Sequence, residues 1–310
     1  MRALAAAVLS LILPAAAPAA TRAAPHATAG GPHEYGCPLF PAGNALNRDV
    51  SRAPVDPRSA QYIASIGTSG HLHPDFGTNP SYGIPYRVVP ATQPRVPIHF
   101  TEYGSESDRG PYPIPTGAPV EGAGAEGDRH VLVLQRGSCR DFELYGAAPS
   151  GAGWDAGAGA VFNLRSNALR PNGWTSADAA GLPILPLLVR WPEVHAGKIE
   201  HALRVTVSST QRGYIHPATH DASSSSDPAL PPMGLRLRLS ASYSLAGFHG
   251  ESLVVLRALK RYGAIVADNG SSWYLTGAPD PRWNDDDLEQ LKRVPGSAFE
   301  AVESGPILHG

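Results

Sequence analysis

Glycine and proline interrupt this chain almost everywhere, and no other feature limits its fold as much. The 310 residues include 33 glycines and 31 prolines, about a fifth of the chain against ~12% in average proteins. Because both residues break helices, long helices cannot dominate the fold. The apolar stretches between the breaks are short, and several alternate with polar residues at the period of a β-strand. The sequence therefore predicts a mainly β fold, like a β-sandwich or jelly roll, with three short peripheral helices.

The balance of positive and negative charges argues against a polyanionic partner. Lysine and arginine number 25 against 27 aspartates and glutamates, and charged residues make up 17% of the chain against 42% apolar ones. A chain of this composition buries a core and has no excess of positive charge to hold a polyanion. We therefore expect no nucleic-acid partner.

The N-terminus has the three-part form of a secretory signal peptide. Arg2 precedes an apolar run over 3–13, and Pro14 and a small-residue run over 15–20 follow. The apolar run is short of the ~20 residues that cross a bilayer, and no later stretch of that length lacks charges and prolines. The sequence predicts secretion, a signal peptide over 1–24 and no transmembrane segment in the mature chain.

Two cysteines, Cys37 and Cys139, are the full complement of the chain. An even count in an exported protein predicts a disulfide bond between them. Two free thiols are the alternative, and two cysteines alone do not make a zinc site.

Turn signals and apolar periodicity divide the rest of the chain. Residues 25–57 lack sustained periodicity and are predicted to form an N-terminal arm, while 58–310 show no internal linker and are predicted to form a single β-rich domain. The run over 130–134 is apolar on both faces, which is typical of a central buried strand in a hairpin with 142–145. Helices are predicted over 59–66, over 251–262 and from Asp285.

Two alternating runs predict a sheet with one polar face. Residues 199–207 place His201 on the apolar side, and 235–239 place Arg236 and Arg238 together on the polar side. The Asp-Asn-Gly turn at 268–270 predicts a further hairpin between the strands on either side of it.

Three runs resemble a group of secreted bacterial proteins of unknown function. They are 165–183 (RSNALRPNGWTSADAAGLP), 197–204 (GKIEHALR) and 257–274 (RALKRYGAIVADNGSSWY). The resemblance covers most of the chain from about Leu39. It implies export and a single domain, and it implies no catalytic residue.

One pattern in the sequence could ligate a metal ion. His71, His73 and Asp75 alternate, so an extended backbone would point all three side chains the same way. Pro74 and the neighbouring glycines favour a turn instead, with the histidines hydrogen-bonded to backbone or solvent. No metal and no other cofactor is predicted.

Four side chains are candidates for acid and base catalysis. His201, on the apolar face of its predicted strand, is either a buried imidazole held by a backbone carbonyl or a proton carrier at the floor of a cleft. Glycoside hydrolysis needs two carboxylates, and the candidates are Asp178, Glu193 and Asp268. Their structural alternatives are a helix cap, a solvated helix residue and the first residue of a turn.

Aromatic and basic side chains complete the predicted site. Tryptophans in loops and at strand ends stack on sugar rings or anchor loops to a core, arginines supply a cation, and a Tyr-His pair after 213 could share acid and base work. The predicted substrate-binding residues are Trp174, Arg204, Tyr214, His220, Arg236 and Trp273.

The sequence predicts action on a polysaccharide or cell-wall glycan. A hydrolase would use two of the three carboxylates, whereas a lyase would need Arg204 to neutralise a uronate and His201 or Tyr214 to move the proton. The alternative is a non-catalytic carbohydrate-binding or cell-envelope protein. The usual signatures of serine hydrolases, phosphate-binding loops and zinc proteases do not occur in the sequence.

Overall fold

Strands in four sheets dominate the computed structural model, which describes residues 31–125 and 127–310. The predicted signal peptide over 1–24 lies outside the described residues. The largest sheet has six strands in the order β15 (Phe299–Ala301), β12 (Arg236–Leu239), β13 (Ala264–Asn269), β11 (Leu203–Val207), β14 (Tyr274–Thr276) and β3 (His73–Asp75). The second sheet has the order β10 (Ala158–Asn163), β7 (Arg140–Tyr145), β6 (Val131–Gln135) and β4 (Tyr86–Val89).

Two small sheets complete the β structure. One has the order β5 (Ile98–Phe100), β9 (Gly153–Ala156) and β8 (Ala148–Ser150), and the other pairs β1 (His33–Glu34) with β2 (Cys37–Pro38). The sheets are mixed, because β4 with β6, β5 with β9, β11 with β13 and β14 with β3 are parallel pairs.

The helices are short and few, so the predicted mainly β class is confirmed. The described residues contain four α-helices, α1 (Ser59–Ile66), α2 (Trp191–His195), α3 (Gly250–Arg261) and α4 (Asp285–Glu289). The sequence predicted α1, α3 and α4. Single 3₁₀ turns lie at Ala45–Asn47, Gly104–Glu106, Glu121–Gly124, Leu185–Leu187, Gln290–Arg293 and Gly296–Ala298.

The four-stranded sheet is buried on both faces, as the apolar run of β6 predicted. Leu132 and Leu134 join the main core, which also contains the apolar residues of β11, β12 and β13. Val131 and Val133 point the other way into a second apolar cluster with Trp154 of β9. β6 pairs antiparallel with β7, which confirms the predicted hairpin.

The N-terminal arm packs on the body of the protein from its first described residues. Cys37 is bonded to Cys139, 102 residues later, which confirms the predicted disulfide. Leu39, Leu46 and Val50 are buried. The arm is therefore part of the folded core.

Two strand predictions are wrong because distant segments intervene. The predicted hairpin around 268–270 does not form, since β11 lies between β13 and β14 and pairs with both. The predicted polar face of β12 is buried, because the arm covers it. There Arg236 donates a hydrogen bond to the carbonyl oxygen of Ala45, and Arg238 donates to that of Ala53.

Candidate functional site

Two adjoining cavities lie where four strands of the six-stranded sheet, β3, β11, β13 and β14, meet the loops around Asp128 and Asp178. The tyrosine cavity, of about 210 Å³, is lined by Tyr103 and Tyr145 among others. The arginine cavity, of about 170 Å³, is lined by Arg204 among others. Together they form the cleft, and the residues that line both are Asp128, His130, Asp268 and Asn269.

Arg204 lies at the centre of the cleft and holds two carboxylates. Its Nη2 donates to Asp178 Oδ1 at 2.7 Å and to Asp268 Oδ2 at 2.9 Å, and its Nε donates to Asp178 Oδ1 at 3.0 Å. Its Nη1 donates to Thr276 Oγ1 at 2.9 Å. Because one nitrogen atom binds both carboxylates, Asp178 and Asp268 are close neighbours, although 90 residues separate them in the sequence.

A β-bulge brings Asp268 to this group. β11 and β13 are in parallel register up to Val205, which pairs with Val266, but the next residue, Thr206, pairs with Asp268 and skips Ala267. Without the bulge, Asp268 would pair one position further on and point to the opposite face of the sheet from Arg204. The extra residue therefore turns the carboxylate toward the cleft, a role that bulges often have beside functional sites.

Asp178 is held in a tight, buried turn. Ser176 Oγ accepts the Asp178 backbone N–H at 2.9 Å, and the Asp178 carbonyl accepts the N–H of Gly181. Gly181 has a positive φ, and a Cβ atom there would lie 2.6 Å from the Trp174 carbonyl oxygen, so only glycine fits. Burial, and then the Asp268 carboxylate, raise the pKa of Asp178 to about 7 against the pull of Arg204.

The two carboxylates differ in exposure and in partners. The Asp178 side chain is fully buried, and its Oδ2 has no hydrogen-bond partner among the described residues. The Asp268 side chain is 22% exposed, and its Oδ1 accepts the backbone N–H of Asn269 at 2.7 Å. Asp178 is thus poised to hold a proton, whereas Asp268 is a solvent-accessible acceptor.

A buried imidazolium forms another wall of the cleft. His130 Nδ1 lies 2.5 Å from Glu121 Oε2, and its Nε2 donates to the Ala177 carbonyl oxygen at 2.8 Å. Burial opposes a charge on His130, but the Glu121 carboxylate outweighs it and raises the pKa of His130 to about 9. The ion pair lies within the segment before β6, and the hydrogen bond from His130 Nε2 to Ala177 joins that segment to the Asp178 turn.

Asp75 of β3 adds another carboxyl group to the arginine cavity. Burial, and then the Glu121 carboxylate, raise the pKa of Asp75. The ring of its neighbour His73 stacks on Tyr274 with centroids 4.1 Å apart, so His73 is committed to an aromatic contact.

The cleft gathers four of the predicted site residues. Asp178, Asp268 and His220 line the tyrosine cavity, and Arg204 lines the arginine cavity. His220 Nδ1 donates to the Ala179 carbonyl oxygen, so it is fixed on the wall.

The other predicted binding residues lie in packing positions. Trp273 is buried and donates its indole N–H to the Gly67 carbonyl oxygen, while Tyr214 is buried beside the C-terminal segment. Trp174 is half-buried with the Arg170 guanidinium over its ring, and Arg236 is buried under the N-terminal arm. Their predicted role in substrate binding stays a prediction.

Glu193 and His201 belong to a second buried group. His201 Nε2 lies 2.9 Å from Glu193 Oε2 and 2.8 Å from Arg190 Nη2, while its Nδ1 donates to the Ala202 carbonyl oxygen at 2.7 Å. Arg190 also reaches Glu34 at 3.4 Å. Both ring nitrogens of His201 therefore have protein partners. The predicted catalytic roles of Glu193 and His201 stay predictions.

We expect His201→Gln to lower the free energy of unfolding by about 1–3 kcal/mol, since the amide cannot keep both buried hydrogen bonds. Catalytic turnover should be unchanged, because His201 lies in a closed network. Urea denaturation and a rate measurement on the same preparation check this. The control is His216→Gln, an exposed histidine that should cost less than ~0.5 kcal/mol. A normal melt with lost turnover would instead make His201 catalytic.

Several residues of the cleft escaped the sequence reasoning. Glu121 and Asp128 lie in the polar segment over 103–128, where the only sign of a function was the length of the segment, and His130 begins the run over 130–134 that predicted a buried strand. Tyr103 and Tyr145 were not predicted, because nothing in their sequence context distinguished them from tyrosines that only pack.

The described part of the chain holds no group of three His, Cys, Asp or Glu side chains arranged to bind a metal ion. Among residues 31–125 and 127–310, every helix falls short of the length and apolar character that a membrane crossing requires. Comparisons of the chain with protein family models, with curated proteins and with solved structures found no match. The resemblance to secreted bacterial proteins stays a prediction.

Proposed function

We propose that the protein is a secreted enzyme that hydrolyses glycosidic bonds in an extracellular polysaccharide or cell-wall glycan. The observation that carries this proposal is the pair of carboxylates, Asp178 and Asp268, that line one cavity and share Arg204. Export is supported by the signal-like N-terminus and by the disulfide, which persists in oxidising compartments.

Asp178 acts as the general acid. Its raised pKa keeps a proton available in mildly acidic to neutral solution, and that proton passes to the oxygen of the leaving sugar. Asp268 acts as the nucleophile and attacks the anomeric carbon as the glycosidic bond breaks. Water then cleaves the glycosyl ester, and Asp178 takes the proton from that water.

The spacing of the two carboxylates favours retention of stereochemistry. Asp178 Oδ1 and Asp268 Oδ2 both accept from Arg204 Nη2. The distance between them therefore cannot exceed the combined length of those two hydrogen bonds. Retaining enzymes place their carboxyl groups roughly 5–5.5 Å apart, while inverting enzymes need ~6.5–9.5 Å to admit a water molecule.

The same geometry argues against a lyase. A lyase must neutralise the uronate carboxylate with a cation, but the Arg204 guanidinium is already paired with two aspartates and Thr276. His130, the other cation of the cleft, is paired with Glu121. Neither charge is available to a uronate.

A substrate screen tests the proposal. The purified protein is incubated with neutral, amino-containing and uronate polysaccharides, and both new reducing ends and the ultraviolet absorbance of unsaturated products are followed. We expect reducing ends without unsaturated products, and a product that keeps its anomeric configuration by NMR. Unsaturated products would instead identify a lyase. Binding without any cleavage would identify a carbohydrate-binding protein and overturn the proposal.

A further inference from the structure

The tyrosine cavity contains a buried acceptor that no protein group satisfies. Asn269 Oδ1 has no hydrogen-bond partner among the described residues, whereas Asp178 Oδ2, which also has none, carries the proton of the general acid. The Asn269 amide is oriented by its Nδ2, which donates to the Ala222 carbonyl oxygen. Buried acceptors of this kind are costly unless something donates to them, so they indicate a ligand that brings donors.

The donors of the same wall are mostly committed to protein acceptors. His130 donates through Nδ1 to Glu121 and through Nε2 to the Ala177 carbonyl oxygen. The hydroxyl group of Ser176 donates to the Leu182 carbonyl oxygen. Among the described lining residues this leaves the hydroxyl groups of Tyr103 and Tyr145 as protein donors, so a carboxylate would find neutral donors and no unpaired cation.

The charge of the cavity selects among donor ligands. Asp128 and Asp268 line it, no lysine or arginine does so among the described residues, and no cation pairs with Asp128 in that part of the chain. The His130 charge is balanced by Glu121. The unbalanced charge is therefore negative, which favours a cationic donor over a neutral hydroxyl group.

Two aromatic rings add a second reason for an organic cation. Tyr103 is 43% exposed at the mouth of the cavity, and Tyr145 lies on its wall, 5.9 Å from the His130 ring between centroids. Aromatic faces attract ammonium groups, and they do not ligate metal ions.

We propose that the tyrosine cavity binds the protonated amino group of an amino-sugar unit, which makes the substrate a glycan with free amino groups. This inference rests on the proposed function, because it names the substrate class of the same cleft. Asn269 Oδ1 and the Asp128 carboxylate accept from the ammonium group, while the proton of Asp178 remains for the glycosidic oxygen.

Calorimetric titrations with three probes test the inference. The probes are an oligomer of glucosamine, its N-acetylated counterpart and an oligomer of galacturonate, each added to the full mature protein. The glucosamine oligomer should bind about 10-fold or more tightly than the N-acetylated one, since a hydrogen bond between charged groups is among the stronger ones. The galacturonate oligomer should not bind.

Asp128→Asn sharpens the test, because it removes the charge and keeps the shape. It should weaken glucosamine binding about 3- to 10-fold and leave N-acetylglucosamine binding unchanged. The matched control is Asp286→Asn on the exposed face of α4, which should change neither affinity. Equal binding of the two sugars, or an unaffected Asp128→Asn variant, overturns the amino-sugar inference.

The outcomes separate this inference from the proposed function. Hydrolysis of several glycans without preference for the amino sugar overturns the inference and leaves the hydrolase standing. Selective binding of glucosamine without cleavage overturns the hydrolase and supports the amine subsite. The last experiment is a titration with Ca²⁺. If Ca²⁺ binds and displaces the glucosamine oligomer, the cavity is a metal site and the inference is overturned.

Discussion

Asp178→Asn is expected to slow hydrolysis of the preferred glycan by about 10²- to 10⁴-fold, the usual contribution of a general acid. The amide still accepts the hydrogen bond from Arg204, so the local structure should survive, but it has no acidic proton to give. The measurement is kcat/KM from the release of reducing ends. A circular dichroism melt of the same preparation shows that the variant is folded.

The pH dependence of the wild-type rate gives an independent check. The acid must be protonated, and burial raises the pKa of Asp178 to about 7, so the rate should fall as the pH rises through that value. The control is Glu193→Gln, which changes the third predicted carboxylate outside the cleft and should leave both the rate and its pH profile in place. An Asp178→Asn variant that keeps its rate within a few-fold would contradict the assignment.

Arg204→Met is expected to lower the free energy of unfolding by about 3–5 kcal/mol near neutral pH, because breaking a buried ion pair leaves its partners uncompensated. The Asp178 and Asp268 carboxylates both lose their counter-charge. The folded variant must then either keep both carboxyl groups protonated or bury their unpaired negative charge. Urea denaturation at about pH 5 and pH 8 measures the cost.

The sign of the pH effect follows from the raised pKa of Asp178. In the wild type this residue keeps its proton in the folded state between its ordinary value of 3.8 and about 7, so its contribution to stability falls as the pH rises through that window. Without Arg204 the pKa rises further, and the loss should be larger at the higher pH.

The matched control is Arg236→Met. Arg236 is equally buried, but it donates to the carbonyl oxygens of Tyr262 and Ala45 and pairs with no carboxylate among the described residues. Its removal should cost the same at both pH values. If Arg204→Met also lost the same free energy of unfolding at both pH values, the protonation of the two aspartates would not depend on Arg204.

Local patterns were enough to predict the parts of the fold that depend on neighbours in the sequence. The apolar run of β6 identified a central strand, because a strand buried on both faces needs no polar residues. The cysteine count predicted the disulfide, and the helical spacing of apolar residues over 251–262 predicted α3, the longest helix among the described residues. Asp178 and Asp268 were also singled out, as residues of a loop and of a strand end, and Arg204 as a basic residue of a predicted strand.

The sequence did not reveal how those three residues meet. The Asp-Asn-Gly turn predicted a hairpin, but a local turn signal carries no information about a third strand that inserts between its arms. The sequence does not reveal the bulge at Ala267 either, because the bulge depends on how β13 pairs with β11. The burial of Arg236 and Arg238 depends on the N-terminal arm, which lies almost 200 residues away in the sequence.

Contacts between the N-terminal arm and the C-terminal segment affect how the chain folds. Val55 of the arm pairs with Val302, and the Glu303 N–H donates to the Pro54 carbonyl oxygen, so segments far apart in the sequence are joined. Contacts of such high sequence separation make folding slow, because long loops must close before the contacts form. Until β15 is synthesised, the edge of β12 that it covers is open, and open edges pair readily with other chains. We therefore expect the unfinished chain to be most prone to self-association before β15 joins the sheet.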